Sequence, residues 1–215
     1  MKRDISLSME FFPPKTQQGL AKLKHTLESF LPLSLDFASV TFGAGGASQD
    51  ATADTVTSLV KSFSVPIVPH LSSIGMSDAN IRLLLNHYQA LGCDRMVLLR
   101  GDKPSGLGAT DNAFRYASDL VEFVRKVTQD YFTIYVAAYT EGHPEATTLK
   151  DDVLALRKKV YAGADIGITQ YFYHADSYHY FLERCNEYSI DIPIIPGVMP
   201  VHDFESLQRF SKRCG

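Results

Sequence analysis

Six apolar segments of this sequence end in polar or charged residues that could carry chemistry. They end at Glu10, Thr41, His70, Arg100-Gly101-Asp102, Tyr139 and Gln170. A strand buried on both faces stays apolar until it leaves the core, so these residues mark strand ends. Polar groups at the same end of parallel strands share one face, and in a β/α barrel that face carries the active site. The pattern predicts one site assembled from many segments.

Glu10 is the candidate general acid. It follows Leu7 and Met9 and precedes two phenylalanines, and desolvation in such surroundings raises the pKa of a carboxyl group. A carboxyl that holds its proton near neutral pH can donate it in a reaction. The alternative is a strand-end glutamate paired with a lysine such as Lys15.

Arg100, Gly101 and Asp102 end a strongly apolar strand. Arg100 can grip a phosphate with two parallel hydrogen bonds, and Gly101 lets a ligand approach the backbone. Asp102 can accept hydrogen bonds from a substrate ring or tune a cofactor by its charge. The alternative is a local pair between Arg100 and Asp102 within a turn.

The remaining candidates are weaker. His70 is more typical of a hydrogen-bonded core histidine than of a ligand, and the glycine cluster at 43–46 is either a plain turn or the wall of a phosphate or ring pocket. Asp152 and Lys159 are seven residues apart and share one flank of a predicted helix. No HxxxH or HxH motif occurs, so no metal site is expected.

Composition narrows the class of protein. The chain has 215 residues and a formal net charge of -3, which gives no reason to expect nucleic-acid binding. No apolar run approaches the length of a membrane span, and the N-terminus lacks a signal-peptide core. The three cysteines are scattered, which favours reduced thiols in the cytoplasm over disulfides or a zinc site.

Apolar runs alternate with helical patterns at a period of about 30 residues, which predicts parallel strands joined by helices. The predicted strands are Ser6–Phe12, Asp36–Phe42, Val65–Leu71, Arg95–Arg100, Thr133–Tyr139, Asp165–Gln170 and Ile192–Val198. Gly92 and Gly163 stand where glycines end helices. No GxGxxG follows the first strand, which disfavours a dinucleotide-binding open sheet and favours a barrel.

Seven strand–helix units are predicted, the last helix spanning roughly Asp203–Lys212. A (β/α)8 TIM barrel needs eight, so we expect a truncated barrel, with residues 1–215 forming a single domain that lacks the eighth strand. An unclosed barrel leaves strand edges with unpaired backbone groups. These edges predict a homo-oligomer.

Together these motifs resemble methylenetetrahydrofolate reductase. The matching segments occur in the family's order, from the first strand to about residue 213. They are Met9–Pro14, Ser39–Ala44, Val68–Leu71, Leu99–Asp102, Val136–Tyr139, His143–Ala146, Lys158–Val160 with Ala162–Ala164, Ile168–Phe172 and Ile195–Pro200.

The resemblance implies a barrel with non-covalent FAD in which NADH or NADPH passes a hydride to the flavin. Reduced flavin then converts 5,10-methylenetetrahydrofolate to 5-methyltetrahydrofolate in a ping-pong sequence. It implies that Glu10 is the general acid, that Asp102 acts in catalysis beside flavin and folate, and that Gln170 contacts substrate. The implied FAD contacts are Thr41, Phe42, Ala44, His70, Arg100, Gly101, Asp102, Tyr116, Ala117, Tyr139, His143, Ala146, Asp152, Lys158 and Lys159.

Several positions depart from the family's pattern. Ala155 replaces a common asparagine, Lys158 an arginine, Phe42 a tyrosine and Ser206 a substrate-binding glutamine. Two alternatives stand beside the reductase, and the missing eighth strand motivates the first of them. One is a flavin-binding barrel fragment without folate reductase activity, and the other is a barrel lyase acting on phosphorylated substrates.

Overall fold

The computed structural model describes residues 5–42, 49–101 and 114–214. The chain divides into two compact units. The first contains Met1–Arg115 with Asp130–Phe132, and the second contains Tyr116–Gln129 with Thr133–Gly215. Asp102, Ala44 and the glycine cluster at 43–46 lie outside the described residues.

The first unit is a run of strands that alternate with helices. Its strands are β1 (Ser8–Phe11), β2 (Phe37–Val40), β3 (Ile67–Ser72) and β4 (Arg95–Leu99), and its helices are α1 (Gln17–Phe30), α2 (Gln49–Val60) and α3 (Asp78–Ala90). Each strand pairs in parallel with the next, and the register places Glu10 opposite Ser39, Val40 opposite Pro69 and His70 opposite Val97. The polar residues at these strand ends therefore lie at one edge of the sheet.

The second unit repeats the pattern. Its strands are β5 (Thr133–Ala138), β6 (Ile166–Tyr171) and β7 (Ile194–Gly197), and its helices are α4 (Ala117–Thr128), α5 (Leu149–Tyr161), α6 (Ala175–Glu187) and α7 (Phe204–Cys214). β5, β6 and β7 also pair in parallel in chain order. The predicted barrel class with seven strand–helix units is confirmed, and each strand lies within two residues of its predicted bounds.

Local signals in the sequence explain where the helices begin and end. The side chains of Thr16, Ser77 and Thr148 each accept a hydrogen bond from a backbone N–H in the first turn of the helix that follows. Gly92 and Gly163 follow α3 and α5 with φ of 77° and 113°, which confirms the predicted helix-ending glycines.

Two aspartates tie the starts of neighbouring strands together. Asp36, just before β2, accepts hydrogen bonds from Leu7 N at 2.8 Å and Ser6 Oγ at 2.7 Å. Asp165, just before β6, accepts one from Ile134 N at 2.7 Å. Each carboxylate satisfies a backbone donor at the opposite end of the strands from Glu10 and Gln170, which holds adjacent strands in register.

Each unit also buries one cysteine. Cys93 lies in the first unit and Cys185 in the second, with 5% and 3% of their surfaces exposed. Burial is the largest cause that raises the pKa of both thiols, to about 11. Both are therefore protonated at neutral pH and behave as small apolar residues. No helix in the described ranges is long and apolar enough to cross a bilayer.

Candidate functional site

The ends of β1, β2 and β3 bring together three of the predicted site residues. Glu10 lies in β1, Thr41 follows β2, and His70 lies in β3. Thr41 and His70 are buried, while 54% of the Glu10 side chain is exposed. The parallel register between β2 and β3 places Thr41 and His70 at neighbouring strand ends.

Two buried polar atoms at this edge have no hydrogen-bond partner within the described part of the chain. They are the Oγ1 of Thr41 and the Nε2 of His70. The backbone carbonyl of Thr41 is satisfied, because Thr52 Oγ1 donates to it at 3.0 Å. Most buried polar side-chain atoms in folded proteins are hydrogen-bonded, so two unsatisfied atoms on adjacent strands make this edge a candidate site.

Glu10 and His70 form a close pair of unlike groups. Glu10 Oε2 lies 3.6 Å from His70 Nε2, whereas Lys15, the alternative partner, makes no ion pair with Glu10. Desolvation raises the pKa of Glu10, and burial lowers the pKa of His70 to about 3. The imidazole is therefore neutral at physiological pH. Because about half of the Glu10 side chain is still open, a ligand that covers it would raise the pKa of Glu10 further.

The end of β4 is a tight turn built on one carbonyl. The oxygen of Arg100 accepts hydrogen bonds from Ser72 Oγ at 2.9 Å, Ser73 Oγ at 3.2 Å and Ile74 N at 2.9 Å. Gly101 follows with φ of 88°. These bonds fix the backbone immediately before Asp102. Asp102 itself lies outside the described residues, so its expected role beside flavin and folate stays a prediction. Phe42 is half-buried beside Thr41.

In the second unit, the loop after β5 forms a compact turn around His143. The rings of Tyr139 and His143 meet edge to face with centroids 4.8 Å apart. Ala146 N donates to the His143 carbonyl at 2.9 Å. Glu145 N donates to His143 Nδ1 at 3.0 Å, so Nδ1 is unprotonated and Nε2 carries the ring proton. His143 therefore offers a single N–H donor.

Asp152 and Lys159 on α5 secure this turn and the end of β5. His143 N donates to Asp152 Oδ2 at 2.5 Å, and Lys159 Nζ donates to the carbonyl of Ala137. Lys159 is half-buried, and its amine contacts the Ala137 carbonyl. Desolvation lowers the pKa of Lys159 to about 8, partly offset by Asp152, and desolvation raises the pKa of Asp152. Lys159 is thus an enclosed cation that a bound phosphate would stabilise.

The other predicted contacts of this unit are more exposed. Lys158 is exposed. Tyr116 is 51% exposed and precedes Ala117, the first residue of α4. Tyr116 N donates to Asp119 Oδ2 at 2.9 Å, which fixes the start of that helix. The part of these three residues in holding a cofactor stays a prediction.

The enclosed amine of Lys159 makes stability depend on pH in one direction. The folded protein releases this proton near pH 8, whereas the unfolded chain holds it to about 10.5. Between these values the unfolded chain binds more protons, so raising the pH stabilises the wild type relative to Lys159→Met. The difference in unfolding free energy should change by up to about 1.4 kcal/mol per pH unit.

Urea unfolding of the wild type and Lys159→Met across this pH range measures that difference. Lys158→Met removes an exposed amine from the same helix and is the matched control. A wild-type advantage that stays constant as the pH rises would show that the amine of Lys159 is not enclosed as described.

Gln170 and a neighbouring apolar cleft lie at the end of β6. Gln170 Oε1 accepts a hydrogen bond from Tyr171 N at 3.0 Å, which holds the side chain against the backbone of the next residue. Tyr171 Oη and Ser211 Oγ are 2.8 Å apart, and Tyr171 stacks on Phe210 with centroids 6.0 Å apart. A cleft of about 360 Å³ is lined by Tyr173, Val201, Phe204, Leu207, Gln208 and Ser211.

The sequence patterns described above do not predict this cleft. The sequence signal for the cleft is the presence of apolar residues in an otherwise polar segment. In the structure three of these residues, Val198, Val201 and Phe204, are 77%, 57% and 69% exposed. Ser206, which the resemblance places at the position of a substrate-binding glutamine, donates its hydroxyl to Asp203 at the start of α7. It serves as part of a helix start. Across the described ranges, no group of three or more His, Cys, Asp or Glu could hold a metal.

Comparison with known proteins agrees with this arrangement. The family model of methylenetetrahydrofolate reductase matches residues 1–215. The chain is 38% identical over 207 residues to 5,10-methylenetetrahydrofolate reductase of Escherichia coli, covering 96% of this chain and 68% of that protein. It is 33% identical over 221 residues to methylenetetrahydrofolate reductase (NADH) 1 of Arabidopsis thaliana, covering 97% of this chain and 37% of that protein.

A solved structure supports the fold. Phosphonopyruvate hydrolase aligns with 95% of this chain and 78% of its own, with a TM-score of 0.58 and 13% identity, so the likeness concerns the fold alone. The full-length family match and the 38% identity confirm the resemblance expected from the sequence motifs. The chain belongs to the methylenetetrahydrofolate reductase family.

Proposed function

We propose that this protein is an FAD-dependent reductase that converts 5,10-methylenetetrahydrofolate to 5-methyltetrahydrofolate. The observation that carries the proposal is the group at the ends of β1 to β3. A carboxyl group with a raised pKa, Glu10, lies beside a buried neutral imidazole and next to the strand end that holds the unsatisfied hydroxyl of Thr41. A proton donor at such a site suits a reduction that also needs an acid.

The residues present suit FAD. The buried Thr41 Oγ1 offers an unsatisfied hydroxyl group, and His143 Nε2 offers an N–H donor. Lys159 offers a desolvated positive charge of the kind that stabilises a phosphate. We propose that these residues, with the other positions predicted from the resemblance, hold the cofactor without a covalent bond.

When bound, FAD would supply hydride transfer, accepting a hydride from a nicotinamide and passing it to the folate in a ping-pong sequence. We propose NADH as the donor, because the plant relatives carry NADH in their names. Reduction at the methylene carbon requires the folate's five-membered ring to open. Glu10 would give its proton to the ring nitrogen that leaves. Gln170 would hydrogen-bond the substrate once its Oε1 no longer accepts from Tyr171 N.

The aromatic cleft near Gln170 suits part of such a substrate. A folate carries flat ring systems, and the exposed rings of Tyr173 and Phe204 with Leu207 provide apolar surface for one of them. We assign the protein to the cytoplasm, because thiols stay reduced there and because we expect its proposed role in one-carbon metabolism there. An oligomeric assembly stays a prediction.

The proposal is tested with the purified protein in two half-reactions. A flavin absorption spectrum, bleaching on anaerobic addition of NADH, and recovery of colour on addition of 5,10-methylenetetrahydrofolate are expected. Bleaching without recovery by the folate would favour the flavin-binding protein without reductase activity. A colourless protein that takes up no added FAD would overturn the proposal.

A further inference from the structure

His70 is oriented by its strand and reaches one acid. It lies in β3, two residues before the strand ends at Ser72, with 5% of its surface exposed, and its register partner is Val97 of the neighbouring strand. Its Nε2 is buried and lacks a hydrogen bond within the described chain, and Glu10 Oε2 lies 3.6 Å from it. That distance is a few tenths of an ångström longer than a hydrogen bond, so a small rotation of the Glu10 side chain would close it.

The His70 and Glu10 side chains differ in burial. The more buried group is the less mobile one, so it orients the other. The imidazole is buried within a parallel sheet, whereas about half of the Glu10 side chain is exposed. A half-exposed glutamate has several rotamers available, and a fixed donor on a rigid strand selects among them. His70 is therefore the fixed member of the pair and Glu10 the movable one.

The protons carried by the imidazole and by the carboxyl group determine which atom can donate. A neutral imidazole carries one proton, and a hydrogen bond from Nε2–H to Glu10 Oε2 is possible whether the carboxyl group is protonated on its other oxygen or ionised. The reverse bond, from a protonated Oε2 to a bare Nε2, is possible only in the acid form. The first arrangement keeps Oε1 available to a substrate in both protonation states.

We propose that His70 is a positioning residue for the acid, and that its Nε2–H donates to Glu10 Oε2 so that Oε1 faces the substrate. This inference rests on the proposed function, because it assigns Glu10 a reacting proton. The imidazole neither gains nor loses a proton in the cycle. It holds the carboxyl group in one orientation before proton transfer and stabilises the carboxylate that remains afterwards.

The pair is suited to a direct test because the cause of the Glu10 shift is simple. Within the described residues, desolvation raises the pKa of Glu10, and the neutral imidazole of His70 lies 3.6 Å from its Oε2. Asp102, which follows Gly101 in the chain, lies outside the described residues, so all measurements keep it unchanged. A change in the Glu10 titration on replacing His70 then reports on the pair.

The first experiment measures the pKa of the Glu10 carboxyl group in the whole protein without substrate, by infrared titration with Glu10→Gln as the subtracted background. In His70→Phe, loss of the donor should raise this pKa by roughly 0.5–1 unit, as expected for one lost hydrogen bond. His70→Gln places an amide N–H near the position of Nε2 and should restore most of the shift. Tyr88→Phe is the matched control. Like His70→Phe, it removes a buried polar atom that lacks a hydrogen-bond partner in the described chain, and it should leave the pKa of Glu10 unchanged.

The second experiment observes the imidazole itself, and it needs no substitution of His70. Nitrogen-correlated NMR of the wild type should find the ring proton of His70 on Nε2. Glu10→Gln should move that nitrogen resonance while leaving the resonance of His87, whose Nε2 lies 3.0 Å from Thr57 Oγ1, in place. A proton on Nδ1 of His70, or an unmoved nitrogen resonance in Glu10→Gln, would overturn the inference even if His70→Phe fails to fold.

The third experiment separates this inference from the proposed function. In the folate half-reaction, the fall in rate at high pH reports deprotonation of the acid, so in His70→Phe it should move to higher pH, with His70→Gln close to the wild type. A wild type that the folate cannot reoxidise would overturn the reductase proposal. An active wild type whose pH profile and carboxyl titration are both unchanged in His70→Phe would overturn the positioning role alone.

Discussion

Replacing Glu10 with glutamine is expected to slow folate-dependent reoxidation of the flavin by roughly 10²–10⁴-fold, the range for losing a general acid. Glutamine has nearly the size and shape of the protonated glutamic acid, and its amide oxygen can still accept a hydrogen bond from His70. It cannot deliver a proton to a leaving nitrogen. Reduction of the flavin by NADH needs no such acid, so its rate should change little.

Stopped-flow absorbance of the two half-reactions makes this comparison in one protein. Glu28→Gln, which neutralises an exposed carboxylate on α1 in the same unit, is the matched control and should leave both rates unchanged. If Glu10→Gln slowed both half-reactions equally, the acid role would be wrong and Glu10 would instead affect the binding of the cofactor.

Gly101→Ala is expected to be among the most destabilising single substitutions at the candidate site. An added Cβ would lie 2.2 Å from Ser72 Oγ and 2.7 Å from Ile74 Cγ2, at a φ of 88° that side chains rarely adopt. Ser72 Oγ is already held by its bond to the Arg100 carbonyl. We expect a loss of about 3 kcal/mol or more, since backbone strain and overpacking act together.

Urea unfolding of Gly101→Ala beside Gly92→Ala separates those two causes. Gly92 has a similar φ of 77°, but nothing lies within 4 Å of an added Cβ, so its substitution should cost about 1 kcal/mol from the backbone alone. Adding Ser72→Ala to Gly101→Ala removes the nearest clash and should recover part of the loss. Equal losses for Gly101→Ala and Gly92→Ala would mean that the turn after β4 has room for a side chain.

The strand–helix framework could be predicted from the sequence because buried parallel strands have a strong local pattern. Arg95–Leu99 is almost wholly apolar and ends abruptly at Arg100, and the observed strand matches the prediction to one residue. Gly163 ends α5 as predicted because a positive φ favours glycine at that point. The helical pattern of α2 is less evident, since its threonines and serine have weak helix propensity.

The site could be predicted only as a set of strand ends. That Glu10 would be desolvated followed from its neighbours in sequence, but its approach to His70, 60 positions further along the chain, depends on the sheet register. Lys159 was expected on a helix flank with Asp152, while the contact of its amine with the Ala137 carbonyl requires α5 to be packed on β5. The cleft beside Tyr173 depends on where α7 lies, which no local pattern specifies.

The two buried thiols allow the transient opening of each compact unit to be measured separately. Cys93 and Cys185 are protonated and shielded while their surroundings are closed, so an alkylating reagent can modify them only during transient exposure. In a protein whose Cys214 is replaced by serine, the two labelling rates measure the local breathing of the two halves independently. Comparing those rates with and without FAD would reveal which half the cofactor tightens more.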